Sequence, residues 1–170
     1  MTILNIIVAP DPRLKLIAKP VAKVDDSVRE FIDDMFETMY DAEGIGLAAT
    51  QVGDLRRILV LDIAQKENRN EPMVFINPEI IWQSDEINTY QEGCLSFPSH
   101  YADVMRPKQI KVKFLGHDGT EQLIEADGLL ATCLQHEIDH LNGKVFVDYL
   151  QPVKRDVILR KLKKEKRLVN

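Results

Sequence analysis

The chain has 170 residues, 45% of them hydrophobic and 29% charged, with a net charge of −5. These are the proportions of an ordinary globular chain with room for one domain (residues 1–170) and a proper core. No apolar run approaches the roughly 20 residues needed to cross a bilayer, and Met1 to Pro10 lacks the basic and apolar regions of a secretion signal, so a cytoplasmic protein without membrane contact is expected. In that compartment Cys94 and Cys133 are not expected to form a structural disulfide.

Taken in order, Ile3 to Val8 is a short apolar run, a strand or a segment packed on the core, and Pro10 to Pro12 a turn. Ser27 to Glu30 reads as a capping box. After it Val28, Phe31, Ile32, Met35, Phe36, Met39 and Tyr40 recur at helical spacing, which predicts an amphipathic N-terminal helix ending before Gly44. Gly44 to Gln51 reads G-I-G-L-A-A-T-Q. It lacks the third glycine of a phosphate loop and follows a helix, so its small residues instead permit close backbone approach. Arg57 to Ile63 predicts a strand and Ala64 to Pro72 a loop. Met73 to Ile76 and Glu79 to Gln83 predict two strands about an Asn77-Pro78 turn, with Trp82 in the packing. Ile110 to Leu115 and Thr120 to Glu125 pair across an Asp118-Gly119 hairpin. Asp127 is a candidate N-cap for a helix ending near Gly143. Val145 to Val147 is extended. Pro152 opens a C-terminal helix over about 152–168, with Val153, Val157, Ile158 and Leu162 on its buried side. The sum is an α+β fold: antiparallel or mixed sheets around a buried central metal-binding helix, with one helix before it and one after.

The central helix carries Q-H-E-I-D-H-L-N over residues 135–142. His136 and His140, four apart, share one helical face and can bind one metal ion, with Glu137 beside the open coordination side. Leu130, Leu134, Ile138 and Leu141 form one apolar face; Leu129 and Cys133 lead towards the histidines on another. Polar groups inside so apolar a helix need a partner, and a metal supplies one. A catalytic site wants a third protein ligand. Phe146, at the position of the third histidine in one protease class, cannot ligate. Glu165 sits in a basic helix and His117 beside a hairpin turn; His100 stays open. Cys94, in E-G-C-L-S (92–96), is the best candidate, and a thiolate with two imidazoles suits Zn²⁺ or Fe²⁺ better than Mg²⁺ or Ca²⁺.

G-I-G-L-A-A-T-Q (44–51), E-G-C-L-S (92–96) and Q-H-E-I-D-H (135–140), in this order, closely resemble the three signature motifs of the peptide deformylase family. The resemblance implies hydrolysis of the N-formyl group from the N-terminal methionine of newly made polypeptides, with release of formate. It implies one divalent metal ion per chain, Fe²⁺ natively, with Zn²⁺, Ni²⁺ or Co²⁺ able to substitute. By motif position Cys94, His136 and His140 are then the ligands and Glu137 the general base and acid. The Gln51 side chain and the Leu95 backbone N–H hold the oxyanion. Ile45, Gly46, Tyr90, Leu129 and Cys133 line the methionine pocket. Glu92 pairs with Arg106 in a structural role. Where many relatives carry an arginine after the second motif, this chain has Ser99, His100 and Tyr101.

From Lys154 onward eight Lys or Arg stand against Asp156 and Glu165, a net +6, and the rest of the chain carries −11. A basic tail on an acidic body points to an anionic partner. The resemblance implies the ribosome near the exit tunnel. A monomer is expected, as no heptad stands out. Two rivals remain at this point: a zinc endopeptidase of the H-E-x-x-H type, and a metal-stabilised binding protein that uses its basic tail on ribosomal RNA.

Overall fold

The computed structural model describes residues 2–169. Its elements are α1 (Asp26–Asp41), β1 (Gly46–Ala48), β2 (Ile58–Leu61), β3 (Met73–Gln83), β4 (Ile87–Cys94), β5 (Phe97–Pro107), β6 (Gln109–Leu115), β7 (Glu121–Asp127), α2 (Gly128–Leu141) and α3 (Pro152–Val169). Five strands form one sheet in the order β1-β2-β3-β6-β7, and β4-β5 form a separate two-stranded sheet. All strand pairings are antiparallel. A lone parallel bridge joins Lys19 to Arg56.

The helices lie where apolar periodicity demands. The four residues of β2, Ile58 to Leu61, are all buried because both faces of the large sheet are covered. Leu59 and Leu61 pack with Phe75, Val112, Phe114 and α2 residues Leu134, Ile138 and Leu141. Ile58 and Val60 pack with Val28, Ile32, Met35 and Met39 of α1. Full burial of each such side chain is worth about 1.5–3 kcal/mol, so the sheet is clamped from both sides. A third cluster joins Ile7, Phe97, Val104, Phe146, Val147 and Leu162, tying the N-terminal segment, the β4-β5 hairpin and α3 together. Nine of the fourteen α2 residues are buried, and the helix touches strands of both sheets.

Several local expectations are corrected. Helix α1 begins one residue before Ser27. Asp25 is the N-cap, its carboxylate accepting from Val28 N at 3.0 Å. No turn divides β3. Asn77 takes φ 51°, a register shift absorbs the irregularity, and its side chain binds Val21 N (2.7 Å) and O (2.9 Å). Trp82 is 45% exposed, with Lys111 Nζ 5.4 Å from its ring centroid, so it covers surface and not core. Residues 146–149 form a 3₁₀ turn where extended chain was expected. Asp127 sits at the N-cap position of α2 but makes no side-chain capping bond. In α3, Leu162 is buried and Ile158 and Leu159 pack beside it, whereas Val153 is 75% exposed. Val153 precedes Ile158, the first α3 residue of the third cluster.

Candidate metal centre and cavity

Three elements meet at one cavity of about 470 Å³: the segment entering β1, the β4-β5 hairpin, and α2. Cys94 ends β4, and Leu95 and Ser96 turn the chain into β5. His136 and His140 face them from consecutive turns of α2. The ligand atoms of Cys94, His136 and His140 all lie within 4.8 Å of one another, with Cys94 Sγ 3.2 Å from His140 Nε2. His100 and His117 stand elsewhere: His117 is exposed, and His100 Nε2 lies 3.4 Å from Glu165 Oε1 of α3.

The protonation pattern suits a cation. Glu92 can only accept, so the proton of the 2.9 Å contact sits on His136 Nδ1. That leaves Nε2 as the nitrogen for a metal, which would take the place of any proton there. Burial alone pulls His136 down, but hydrogen bonding to Cys94 and Glu92 outweighs it and holds the ring well above the ordinary histidine value. Burial, with His136 beside it, holds His140 well below, as a neutral imidazole. The site thus attracts positive charge while presenting one ring as a free ligand. One cysteine sulfur and two imidazoles with their donor atoms this close fit a transition-metal ion.

Glu137 is 6% exposed, and its Oε2 has no partner among the described residues. Burial pushes its carboxyl up to about 7. Its room is made by glycine: a Cβ on Gly46 would stand 2.7 Å from Glu137 Oε1. Gly44 does the same for Leu95, whose Cδ1 would lie 2.6 Å from an added Cβ. Gln51, on the 3₁₀ turn after β1, is fixed at both ends of its amide. Its Oε1 accepts from Ala48 N at 2.9 Å, while Nε2 donates to Ser96 Oγ (3.1 Å) and lies 3.4 Å from Cys94 Sγ. Ile45, Gly46, Tyr90, Leu129 and Cys133 all line the same cavity. At its mouth Tyr101 is 64% exposed, its ring lying over Gly93.

Below the donors Arg106 reaches Glu92 with Nε (2.6 Å) and Nη2 (2.9 Å), a buried two-point pair. Burial disfavours the charge of Glu92, yet Arg106 and His136 hold its carboxyl below the usual glutamate value. Reading by motif missed several groups here. Ser96 is fully buried against Gln51, Thr50 Oγ1 donates to the His140 carbonyl at 3.1 Å, and Asp139 binds Arg106 Nη1 at 2.8 Å. Asp139 lies inside the histidine motif, and its carboxylate on a buried helix was the available signal.

Three candidate ligand atoms within 4.8 Å of one another, beside a carboxyl pushed up to about 7, are the arrangement a metal-dependent hydrolase requires. A family model described as polypeptide deformylase matches residues 3–156. Peptide deformylase 1 of Pseudomonas syringae pv. tomato is 58% identical over 168 residues, 99% of each chain. The peptide deformylase of Pseudomonas aeruginosa is 58% identical over 167 residues, 98% of each. Among solved structures, the Ehrlichia chaffeensis enzyme in complex with actinonin superposes with a TM-score of 0.94 at 47% identity, covering 98% of this chain and 99% of that one. The Legionella pneumophila enzyme gives 0.91 at 49% identity, covering 98% and 97%. The chain belongs to the peptide deformylase family, enzymes that remove the N-formyl group from the N-terminal methionine of nascent polypeptides. No helix among the described residues is long and apolar enough to cross a membrane.

Proposed function

We propose that the chain, as a single 170-residue catalytic domain, deformylates nascent peptides at the cavity lined by residues of 43–46, 90–95 and 129–137, with Cys94, His136 and His140 holding one divalent metal ion. The observation that carries this is the convergence of those three ligand atoms within 4.8 Å, beside a buried Glu137. The likeness to the family supports Fe²⁺ as the native ion, with Zn²⁺, Ni²⁺ or Co²⁺ as substitutes, and one sulfur with two imidazoles suits any of these better than Mg²⁺ or Ca²⁺. Such an ion supplies Lewis acidity at the formyl group and makes a water molecule easier to deprotonate near neutral pH.

The protein's own groups do the rest. Ile45, Gly46, Tyr90, Leu129 and Cys133 take the methionine side chain and fix the formyl group over the donors. Glu137 receives a proton from the attacking water. As the water oxygen bonds to the formyl carbon, the Gln51 amide and the Leu95 N–H stabilise the negative oxygen; removal of one such donor costs roughly 3 kcal/mol in comparable sites. Glu137 then gives its proton to the departing nitrogen, the C–N bond breaks, and formate leaves beside a free methionine amine. Glu92 and Arg106 hold His136 in place. The enzyme works in the cytoplasm as a monomer, and its basic α3 brings it to the ribosome near the exit tunnel.

The test is formate release from formyl-Met-Ala-Ser by protein purified anaerobically, with its metal content measured. Glu137→Ala should keep one metal ion per chain and lose at least about 100-fold in kcat. Retention of more than a tenth of wild-type kcat would remove Glu137 from the chemistry. A Cys94→Ala protein that keeps its metal would remove Cys94 from the ligand set.

A further inference from the structure

The contacts beneath His136 do not end at Arg106. Arg106 is 3% exposed and has three of its N–H groups committed: two to Glu92 and the Nη1 group to Asp139 Oδ2 at 2.8 Å. Tyr149 Oη donates to that same Asp139 oxygen at 2.6 Å. The Tyr149 ring lies against the guanidinium, whose Cζ is 4.6 Å from the ring centroid, and Lys144 Nζ stands 4.0 Å from that centroid. Tyr149 is 40% exposed, so it is the outer end of an unbroken chain: Tyr149, Asp139, Arg106, Glu92, His136. The turn that bears Tyr149 touches His136 a second time. Phe146 stacks on the imidazole with centroids 6.0 Å apart and an interplanar angle of 26°.

We infer that the turn Phe146–Tyr149 is a brace for His136, in which Asp139 and Tyr149 are positioning residues that set the imidazole's orientation through Arg106 and Glu92. The physical reason is leverage. An arginine gripped only by Glu92 can rock about that pair, carrying the carboxylate and the imidazole with it. A second anchor at Nη1 stops the rotation, and the Tyr149 hydroxyl fixes that anchor in turn. A histidine ligand held at its far nitrogen by a fixed carboxylate keeps its tautomer and its aim. His140 has no such support: its Nδ1 has no partner among the described residues. The brace therefore acts on one of the two histidines.

The inference rests on His136 being a metal ligand, and the experiment separates the two claims. Wild-type protein, Tyr149→Phe, Asp139→Asn and Tyr40→Phe, whose hydroxyl bonds Asp62 and none of the brace residues, are loaded with Co²⁺ at one ion per chain. The visible spectrum, the rate of cobalt loss to excess chelator, and thermal melting are recorded for each. Tyr149→Phe and Asp139→Asn should release cobalt about 3- to 10-fold faster and shift the cobalt bands, with kcat lowered and KM kept. Tyr40→Phe should melt lower yet release cobalt at the wild-type rate. Wild-type spectra and release rates in both brace variants, or in whichever of them folds, would overturn the brace alone. A His136→Ala protein that binds cobalt and releases it at the wild-type rate would overturn the ligand reading of His136 first and the brace with it.

Discussion

At residue scale, the site depends on what is missing from Gly46 as much as on what its neighbours carry. An added Cβ there would meet Glu137 Oε1 at 2.7 Å and Leu61 Cδ2 at 2.8 Å. Leu61 is fully buried and cannot give way, so the Glu137 carboxylate must move. Gly46→Ala should therefore bind its metal normally and lose about 10- to 100-fold in kcat, since a displacement near 1 Å is worth that much in a proton-transferring group. Formate release measured beside metal content checks it. A variant with wild-type kcat would show that Glu137 tolerates displacement and that its position is not fixed from this side. The same pair shows why the residues of G-I-G-L-A-A-T-Q, apart from the motif resemblance, read only as a segment of small residues that permits close approach. The partner that Gly46 makes room for lies 91 positions away, and only the fold brings the two together.

At the scale of elements, periodicity made α1, β2, β6, β7, α2 and α3 legible, because each has an apolar face that must be covered. The β4-β5 hairpin was not legible beyond its E-G-C-L-S turn. Its inward positions include Glu92 and Arg106, so the buried ion pair breaks the apolar alternation that marks a strand. Its outward positions include Tyr101 and Met105, both largely exposed, which weakens the pattern from the other side. Methionine and aromatic residues on α1 do pack as core, with one polar exception of consequence. Tyr40 Oη donates to the fully buried Asp62 at 2.6 Å, joining α1 to the end of β2. Asp62 also accepts from Ala64 N and Glu71 N, so it organises the loop between β2 and β3. Tyr40→Phe should lower stability by about 1.5 kcal/mol at neutral pH, the low end for a bond to a carboxylate because Tyr40 is half-buried. Burial, reinforced by the Asp62 hydrogen bond, raises the Tyr40 pKa above its ordinary value near 10. The folded state thus holds this proton more tightly than the unfolded chain. The contribution is full below about pH 10 and is lost as pH climbs from there towards the folded-state value. The gap between wild type and Tyr40→Phe in urea unfolding should narrow above pH 10. A gap that stays constant to pH 11 would show that Tyr40 does not titrate differently in the two states.

On the scale of the whole molecule, charge and packing are separated along the chain in a way that bears on where the enzyme works. The body before Lys154 carries −11, while α3 and the residue after it carry +6. Helix α3 is held by Leu162, Ile158 and Leu159 to the same cluster that contains Phe97 and Phe146, so the positive charge rides on a helix fixed to the body. Lys161, Lys164 and Arg167 are exposed. Most such runs are simply solvated, but a helix with an anchored apolar stripe and a free basic stripe presents a rigid row of cations to a polyanion. Under the ribosome docking proposed above, ribosomal RNA would be that polyanion. Binding through phosphates should then weaken steeply with salt, the slope scaling with the number of contacts made. Changing Lys161, Lys164 and Arg167 together to Glu turns the net +6 of this segment to zero while leaving Leu162, Ile158 and Leu159 in place. The variant should cosediment with ribosomes much less than the parent at low salt, the difference shrinking at moderate salt as the parent also dissociates. Its turnover of formyl-Met-Ala-Ser should match the parent's, because none of the three residues lines the cavity. Equal cosedimentation of variant and parent at low salt, or a loss of small-peptide turnover in proportion to the loss of binding, would refute docking through α3. The first outcome would leave the charge as a solvated face, and the second would tie α3 to the integrity of the catalytic body.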